Sequence, residues 1–410
     1  MPLQCLDTSK CSIQLKTRNR LVWVLPKALV FLLLLGRTAF ALQIPDNSLR
    51  NDIAAQAERG PSDAQLSRAI TLSGNYLVRA CLPDGRFVYR IDTESGRESR
   101  SYNIVRHAGA IYALSMLNAS HPNPQLVSIM VRAANFMTAN FVGEGTRPGT
   151  QVVWSRPLPS PSDANLGATG LGLVALIAVR RVAPQSVSLE QLRGLGRFLI
   201  FLQNRDGSFI NKYRPGVGAV QDSDVLYYPG EAALGLLSLY DLDPSPEWLT
   251  ASDKALSYLA AKRANLTDVP PDHWALLATA KLLPYCENNA CAASRDKLIR
   301  HAEQICRSIL VEQHQNGSFD YFGKTTPTAT RMEGLLASLE FLQNGPLREE
   351  VISAVRRGII FLVSAQITSG WYAGGIPGAV FAPSRETTNV RIDYVQHSLS
   401  AWLQYQQSHP

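Results

Sequence analysis

Charge is scarce in this chain: 18% of its 410 residues are Asp, Glu, Lys or Arg, against 46% hydrophobic. That balance excludes a disordered polyelectrolyte and leaves ample material for a large core. There is no Lys/Arg-rich run of the kind nucleic-acid binders carry, and the formal charge of +7 is raised by the N-terminal region. A mildly basic surface of this kind suits an acidic substrate without demanding one. The seven histidines include no His-x-x-x-His pair, and the cysteines of "CENNAC", Cys286 and Cys291, have no partner Cys/His pair at zinc-ligand spacing. No obligatory metal or other cofactor is therefore expected; zinc gathered from different hairpins, or calcium held by carboxylates, is the alternative.

Long apolar runs are also missing. Between Lys27 and Arg37 stands "ALVFLLLLG", about nine residues, well short of the roughly 20 that span a bilayer. Lys16, Arg18, Arg20 and Lys27 precede it, and "AFA" ending at Ala41 follows, the pattern of a secretory signal. Residues 1–41 are expected to be a signal peptide and 42–59 a linker, with the protein exported to a periplasmic or extracellular space. The alternative is an uncleaved anchor from Leu21 to Leu42, the one case in which a membrane would be a partner. Removal of the signal takes Cys5 and Cys11 with it. In an oxidising compartment Cys286 and Cys291 are expected to pair, while Cys81 and Cys306 read as buried thiols.

What the chain does have is a repeat. "GNYLVRACLPDGRF" (74–87), "LGRFLIFLQNRDGSF" (195–209), "CRSILVEQHQNGSF" (306–319) and "RRGIIFLVSAQITSGW" (356–371) share a spacing. The last three place Gln shortly before Gly and an aromatic; the first has Cys81 where the glutamine would stand. Weaker relatives begin near Ala134 and Ala255. Each unit reads as an amphipathic helix, a Gly turn and an aromatic packed back over it. After each comes a helix apolar nearly all round and rich in Gly and Ala: "RHAGAIYALSML", "NLGATGLGLVALIAV", "YPGEAALGLLSLY", "PPDHWALLATAKLL", "ATRMEGLLASLEFL" and "RIDYVQHSLSAWL". Six amphipathic helices alternating with six buried ones predict an all-α fold, an (α/α)6 toroid over residues 60–408, with the buried helices as an inner ring. An open solenoid would need capping repeats with a polar outer face, and the first and last inner helices look buried.

The unit "RRGIIFLVSAQITSGW" resembles the Gln-Trp repeat of terpenoid cyclases, whose α/α toroid is shared with protein prenyltransferases and several carbohydrate-active families. The resemblance implies architecture, not chemistry. At the last inner helix, "RIDYVQH" is similar to the Arg-x-Asp-Tyr followed by His in the C-terminal helical domain of glucuronyl C5-epimerases. That likeness implies a substrate-carboxylate contact for Arg391 and proton transfer for Tyr394. His397 stands one position nearer than in that pattern, and the family's β-rich domain is absent.

In such a ring the first turns of the inner helices line a common pocket. They carry Arg106 and His107; Asn165; Tyr227, Tyr228 and Glu231; Asp272 and His273; Arg331 and Glu333; and Arg391, Asp393, Tyr394 and His397. Tyr394, His397, His107, Tyr228, Glu231 and Glu333 are the candidate catalytic groups. Arg106, Arg331, Arg391, Asp393, His273 and Asn165 are the candidate substrate contacts. Each has a structural counter-reading: Asp272 as an N-cap, Glu231 as an acid favouring the helix dipole, Tyr228 as packing, any one histidine as a hydrogen-bonded core residue. The three arginines sit where the dipole disfavours cations, so each needs either a nearby acid, such as Asp393 or Glu333, or an anionic ligand.

The reading that follows is an exported enzyme acting on a uronate-containing polysaccharide or oligosaccharide by proton abstraction, as a C5-epimerase or a lyase. A glycoside hydrolase using paired carboxylates drawn from Glu231, Glu333 and Asp393 is the first alternative. A glycan-binding or polysaccharide-assembly protein without catalysis is the second. A terpenoid cyclase is disfavoured, because neither an Asp-x-Asp-Asp nor an Asp-Asp-x-x-Asp run is present and "QDSDV" (221–225) is the nearest approach. The loops 143–165 and 374–389 are expected to border the pocket mouth, with Trp154 and Trp371 as possible sugar-stacking faces and turn packing as the first expectation for Trp371.

Overall fold

The glutamines of the repeat explain how the outer helices are joined. In the computed structural model, which describes residues 59–408 apart from 146, 160–162, 222–224, 287–290, 292–293 and 383–384, six outer helices run Asp63–Ala80 (α1), Pro124–Phe141 (α3), Leu189–Phe201 (α5), Pro246–Arg263 (α7), Arg295–Glu312 (α9) and Pro346–Ala365 (α11). Gln203, just past α5, donates from Nε2 to the carbonyls of Gly207 in its own turn (3.3 Å) and of Ala251 in α7 (2.8 Å). Gln313 does the same after α9, reaching Gly317 (3.2 Å) and Ala354 of α11 (2.9 Å). Gln366 reaches the Ala69 carbonyl of α1 (2.9 Å) and so ties the last outer helix to the first. Gly207 has φ +93°, and a Cβ there would lie 2.2 Å from the Lys254 carbonyl oxygen. The turn must therefore be glycine both for its left-handed backbone and for its approach to the next helix.

The last unit departs from the others. The close approach belongs to Gly374, φ +90°, against the Leu72 carbonyl, and not to Gly370, which has nothing nearby. Trp371 is consequently 82% exposed, whereas Phe87 of the first unit is fully buried. The longer turn carries the indole off the core, which corrects the expectation that it packs over the turn.

The inner helices are Ile104–Ser120 (α2), Leu166–Val182 (α4), Tyr228–Leu242 (α6), His273–Cys286 (α8), Thr325–Ser338 (α10) and Ile392–Ser408 (α12). Each packs on the next, and α12 returns to α2, so the ring is closed and the fold is an α/α toroid of six hairpins. Most of each inner helix is buried, as expected of segments covered by neighbours and by the outer ring. The fifth begins earlier than its apolar run, at Thr325, because Pro327 is tolerated in a first turn, where its missing N–H has no intrahelical acceptor. Asn103 caps α2, accepting from Val105 N (2.9 Å) and Arg106 N (3.3 Å), and proline opens α3, α7 and α11.

Short strands dress the loops that lead from outer to inner helices. Arg90–Asp92 (β1) pairs antiparallel with Asn389–Arg391 (β7), Arg90 opposite Arg391, which closes the ring a second time. Val142–Glu144 (β2) pairs with Gln151–Val153 (β3), and Ala164–Asn165 (β4), Lys212–Arg214 (β5) and Gly218–Val220 (β6) form a three-stranded sheet. Cys286 and Cys291 are disulfide-bonded with Cα atoms 4.9 Å apart, and Cys81 and Cys306 are free and buried. Among the described residues no helix is long and apolar enough to cross a membrane. The signal-peptide expectation for 1–41 and most of the linker lie outside the described residues.

Candidate active site

Within the mouth of the ring lies a cavity of about 230 Å³, lined by Val105 and Arg106 of α2, Leu171 of α4, Tyr227 and Glu231 at α6, and His273 and Trp274 of α8. Thr326, Pro327, Thr330 and Arg331 of α10 and Asp393, Gln396 and His397 of α12 complete it. Every inner helix contributes, as convergence of the six first turns requires. Of the candidate residues, Arg106, Glu231, His273, Arg331, Asp393 and His397 reach the cavity, and Glu333 stands behind His397. His107, Asn165, Tyr228, Arg391 and Tyr394 do not line it.

His273 is the most unusual group here. It is 2% exposed, yet among the described residues neither ring nitrogen has a hydrogen-bond partner. Its ring is held by packing alone, edge-on to Tyr227 at 4.8 Å between centroids, against Trp274 at 4.9 Å, and edge-on to His397 at 6.0 Å and 81°. Burial, with smaller contributions from His397 and Arg331, holds its pKa well below the ordinary histidine value, so the ring is neutral. His397 is in the opposite state. Its Nδ1 donates to Glu333 Oε2 at 2.8 Å; burial pulls its pKa down, but the Glu333 charge and hydrogen bond, with Asp393 and Glu231, outweigh burial and raise it. One imidazole is thus biased towards the neutral base and its neighbour towards the protonated acid, although burial also pushes the Glu333 carboxyl up.

Other unsatisfied groups share the cavity: Glu231 Oε2, Thr326 Oγ1 and Gln396 Oε1 have no partner among the described residues. Buried polar atoms are normally paired, so several unpaired ones around one small space mark a place where water or a polar ligand completes them. Burial, then the charge of Asp272, pushes the Glu231 carboxyl up to about 8 against the pull of His397, which leaves it protonated at neutral pH. Gly167 makes room for this side chain: a Cβ there would stand 1.9 Å from Glu231 Oε2 and 2.4 Å from the Tyr228 ring.

The arginines all have acids. Arg106 Nε lies 3.0 Å from Asp393 Oδ2, and the Arg391 Nη2 donates to the same carboxylate at 2.8 Å while its guanidinium sits 4.3 Å over the Tyr394 ring. Two guanidinium groups on one carboxylate leave a surplus positive charge beside the cavity. Arg331 is held by Glu312 at the end of α9, Nε to Oε2 3.2 Å. Glu312 is 19 residues away and on the other ring, so only the fold reveals this partner. Asp272 is a cap, accepting from Ala275 N at 3.1 Å, and also a buried ion-pair partner of Arg263 at 2.9 Å.

His107 lies away from the cavity and is tied into the surrounding helices. Its Nε2 donates to the Ala133 carbonyl (2.9 Å), its Nδ1 accepts from the Tyr102 hydroxyl (2.7 Å), and Phe87 and Phe136 enclose the ring. Trp154 is 4% exposed and offers no face to a sugar. Neither the 143–165 loop nor the 374–389 loop places a described residue on the cavity. Thr326, Thr330, Trp274 and Gln396 were missed by sequence reasoning; Gln396 alone carried a signal, being one residue from His397.

No family model matches the chain, and no curated protein matches it in sequence. Solved structures do match in fold. A cellobiose 2-epimerase from Bacillus thermoamylovorans B4167 superposes with TM-score 0.64 at 13% identity, covering 88% of this chain and 99% of the other. A GH76 α-mannanase from Bacteroides thetaiotaomicron gives 0.60 at 10%, covering 87% and 99%. An unsaturated glucuronyl hydrolase specific for heparin gives 0.59 at 12%, covering 84% and 98%. The shared property is the toroid. At these identities the chemistry has to be argued from the residues of the cavity.

Proposed function

We propose that this protein is an exported carbohydrate-active enzyme that moves a proton on a sugar, at a carbon next to a carboxylate or carbonyl. The observation that carries the reading is His273, buried with both nitrogens unpaired and facing the His397–Glu333 pair. Neutral His273 takes the proton from the C–H bond. Negative charge then builds on the adjacent oxygen, where Arg331 and the surplus charge of Arg106, Arg391 and Asp393 favour it. His397 returns a proton, and delivery to the opposite face of the carbon gives the epimer; if a β-substituent leaves instead, His397 protonates the leaving oxygen and the product is unsaturated. Each turnover leaves His273 protonated and His397 neutral, and exchange with solvent restores them. A uronate, whose C5–H lies beside its carboxylate, fits this electrostatics, and a cavity of about 230 Å³, below the roughly 300–1,000 Å³ that holds a drug-sized ligand, suits one sugar residue. Structural likeness to a sugar epimerase and to sugar hydrolases supports the substrate class. Export rests on the N-terminal segment alone.

The test is solvent-to-sugar deuterium exchange at C5 of uronate oligosaccharides and at C2 of reducing sugars, with the full chain and with His273→Asn. Exchange by the wild type that the variant loses supports the proposal. Binding of a sugar with no exchange anywhere in the panel overturns it in favour of a glycan-binding protein.

One observation favours a second reading. Glu231 is protonated at neutral pH and lines the cavity, the state of a general acid in glycoside hydrolysis, with Asp393, held between Arg106 and Arg391, as the second carboxyl group. Release of reducing ends that Glu231→Gln abolishes, without exchange into unreacted sugar, would establish hydrolysis instead.

A further inference from the structure

His273, Glu333 and His397 come from three inner helices that follow one another around the ring, α8, α10 and α12, and one ligand atom from each lies within 4.8 Å of the other two. All three are buried or nearly so: His273 is 2% exposed, Glu333 3%, and the His397 side chain 12%. We infer that these residues form a binding site for a divalent transition metal of the zinc and cobalt type, and that metal bound there excludes the sugar. The exclusion rests on the proposed use of the same histidines in proton transfer; the binding does not.

Two independent observations carry the site. The first is the donor set, since two imidazoles and one carboxylate form a borderline-soft triad that suits zinc or cobalt and not the all-oxygen preference of calcium or magnesium. The second is that both nitrogens of His273 are unpaired among the described residues, and one of its nitrogens lies within 4.8 Å of the ligand atoms of Glu333 and His397. A buried imidazole with nothing to bond is a lone pair in want of an acceptor, and a metal ion fulfils that need as well as a C–H proton does. Nitrogen and carboxylate ligands bind zinc at about 2.0–2.2 Å, so a few side-chain rotations must draw the three atoms together, with Glu333 exchanging its bond to His397 for one to the metal. The helices are braced by the ring and supply rigid stems for that adjustment.

Binding a cation here releases the His397 proton to solvent, so that both imidazoles offer lone pairs. Arg331 is held by Glu312, and Asp393 offsets one of the two charges of Arg106 and Arg391, so the affinity has to come from the three ligands themselves. The fourth coordination position opens on the cavity, where Thr326 Oγ1 and Gln396 Oε1 have no partner and can hydrogen-bond a metal-bound water. An ion in this position takes the lone pair with which His273 would attack a C–H bond, and it occupies part of the cavity that His273 and His397 line.

The experiment is titration of the full, chelator-treated chain with cobalt(II), followed by visible absorption, and with zinc(II), followed by calorimetry. Wild type, His273→Asn, Glu333→Gln and, as a control for surface histidines, His121→Ala are compared. The expected result is one saturable site per chain, weakened at least tenfold in His273→Asn and in Glu333→Gln and unchanged in His121→Ala, with far-UV circular dichroism confirming that all four are folded. Absence of saturable binding, or equal binding by wild type and both cavity variants, overturns the site. Deuterium exchange unaffected by saturating zinc overturns the exclusion. A chain that binds cobalt at these residues yet exchanges no proton in any sugar leaves the metal site standing and sinks the proton-transfer reading, so the two fail separately.

Discussion

His107 and His273 occupy matching places, each near the start of an inner helix and each essentially without solvent contact, 0% and 2% exposed. Burial pulls the pKa of both down, His107 to about 4. What separates them is pairing. His107 uses both nitrogens on Tyr102 and Ala133 within an aromatic cage; His273 uses neither. A buried polar group that is satisfied is fixed by the fold, whereas one left unsatisfied beside a cavity is open to water or a ligand. Residue type and position could not make that distinction.

The comparison is broken most decisively through activity. His273→Asn should lower proton exchange by roughly 10²–10⁴-fold, the usual contribution of a positioned acid or base, with little change in melting temperature. His107→Gln should leave exchange within a few-fold of wild type. Parallel losses in the two variants would erase the difference drawn here.

The next largest effects are on stability, and they invert the order. Arg263→Met leaves the Asp272 carboxylate buried beneath the start of α8 without its partner and is expected to cost about 3–5 kcal/mol in urea unfolding. His107→Ala, which removes two hydrogen bonds and leaves a void among Phe87, Tyr102 and Phe136, should cost about 2–4 kcal/mol. Equal stabilities of wild type and His107→Ala would show that the cage does no structural work.

The pH dependence sharpens the same point. His107 titrates near 6.5 when unfolded and about 4 when folded, so between those values the unfolded chain binds more protons. Its contribution, on the order of 3 kcal/mol, is complete above about pH 6.5 and is lost as pH falls towards 4. His301, lowered by burial and by Arg263 to about 3, acts in the same direction. Unfolding free energies measured from pH 7 to pH 4 should decline, and the decline should be shallower in His107→Gln; an identical slope would contradict the assignment. The smallest effect is expected from the divergent repeat: Trp371→Ala should change stability by no more than about 0.5 kcal/mol, whereas Phe87→Ala, at the matching place in the first unit, should cost about 3–5 kcal/mol.

Much of the fold was legible in the sequence because its signals are local. The Gln-x-x-x-Gly spacing with its following aromatic lies within one turn, and the contrast between amphipathic and all-apolar helices is periodic. The failures mark where locality ends. Trp371 was expected to pack because its repeat looked regular, but the chain reaches the next helix through Gly374. The arginines were set apart because they opposed the helix dipole, a sound local argument, yet Arg331 is answered by Glu312 from the outer ring and Arg106 by Asp393 from the opposite end of the domain sequence. The resemblance of "RIDYVQH" to the epimerase pattern drew attention to Arg391 and Tyr394, and in the folded protein those two stack on one another outside the cavity while His397, Asp393 and Gln396 face it.

By itself, the sequence determined an all-α toroid of alternating helix types and the supply of polar residues at the inner-helix starts, since apolar periodicity and turn chemistry act over a few residues. Only the tertiary structure decided which histidine is neutral and unpaired, which is bound to Glu333, and which is sealed in an aromatic cage. Those outcomes depend on burial and on partners from other hairpins, brought together only when the ring closes.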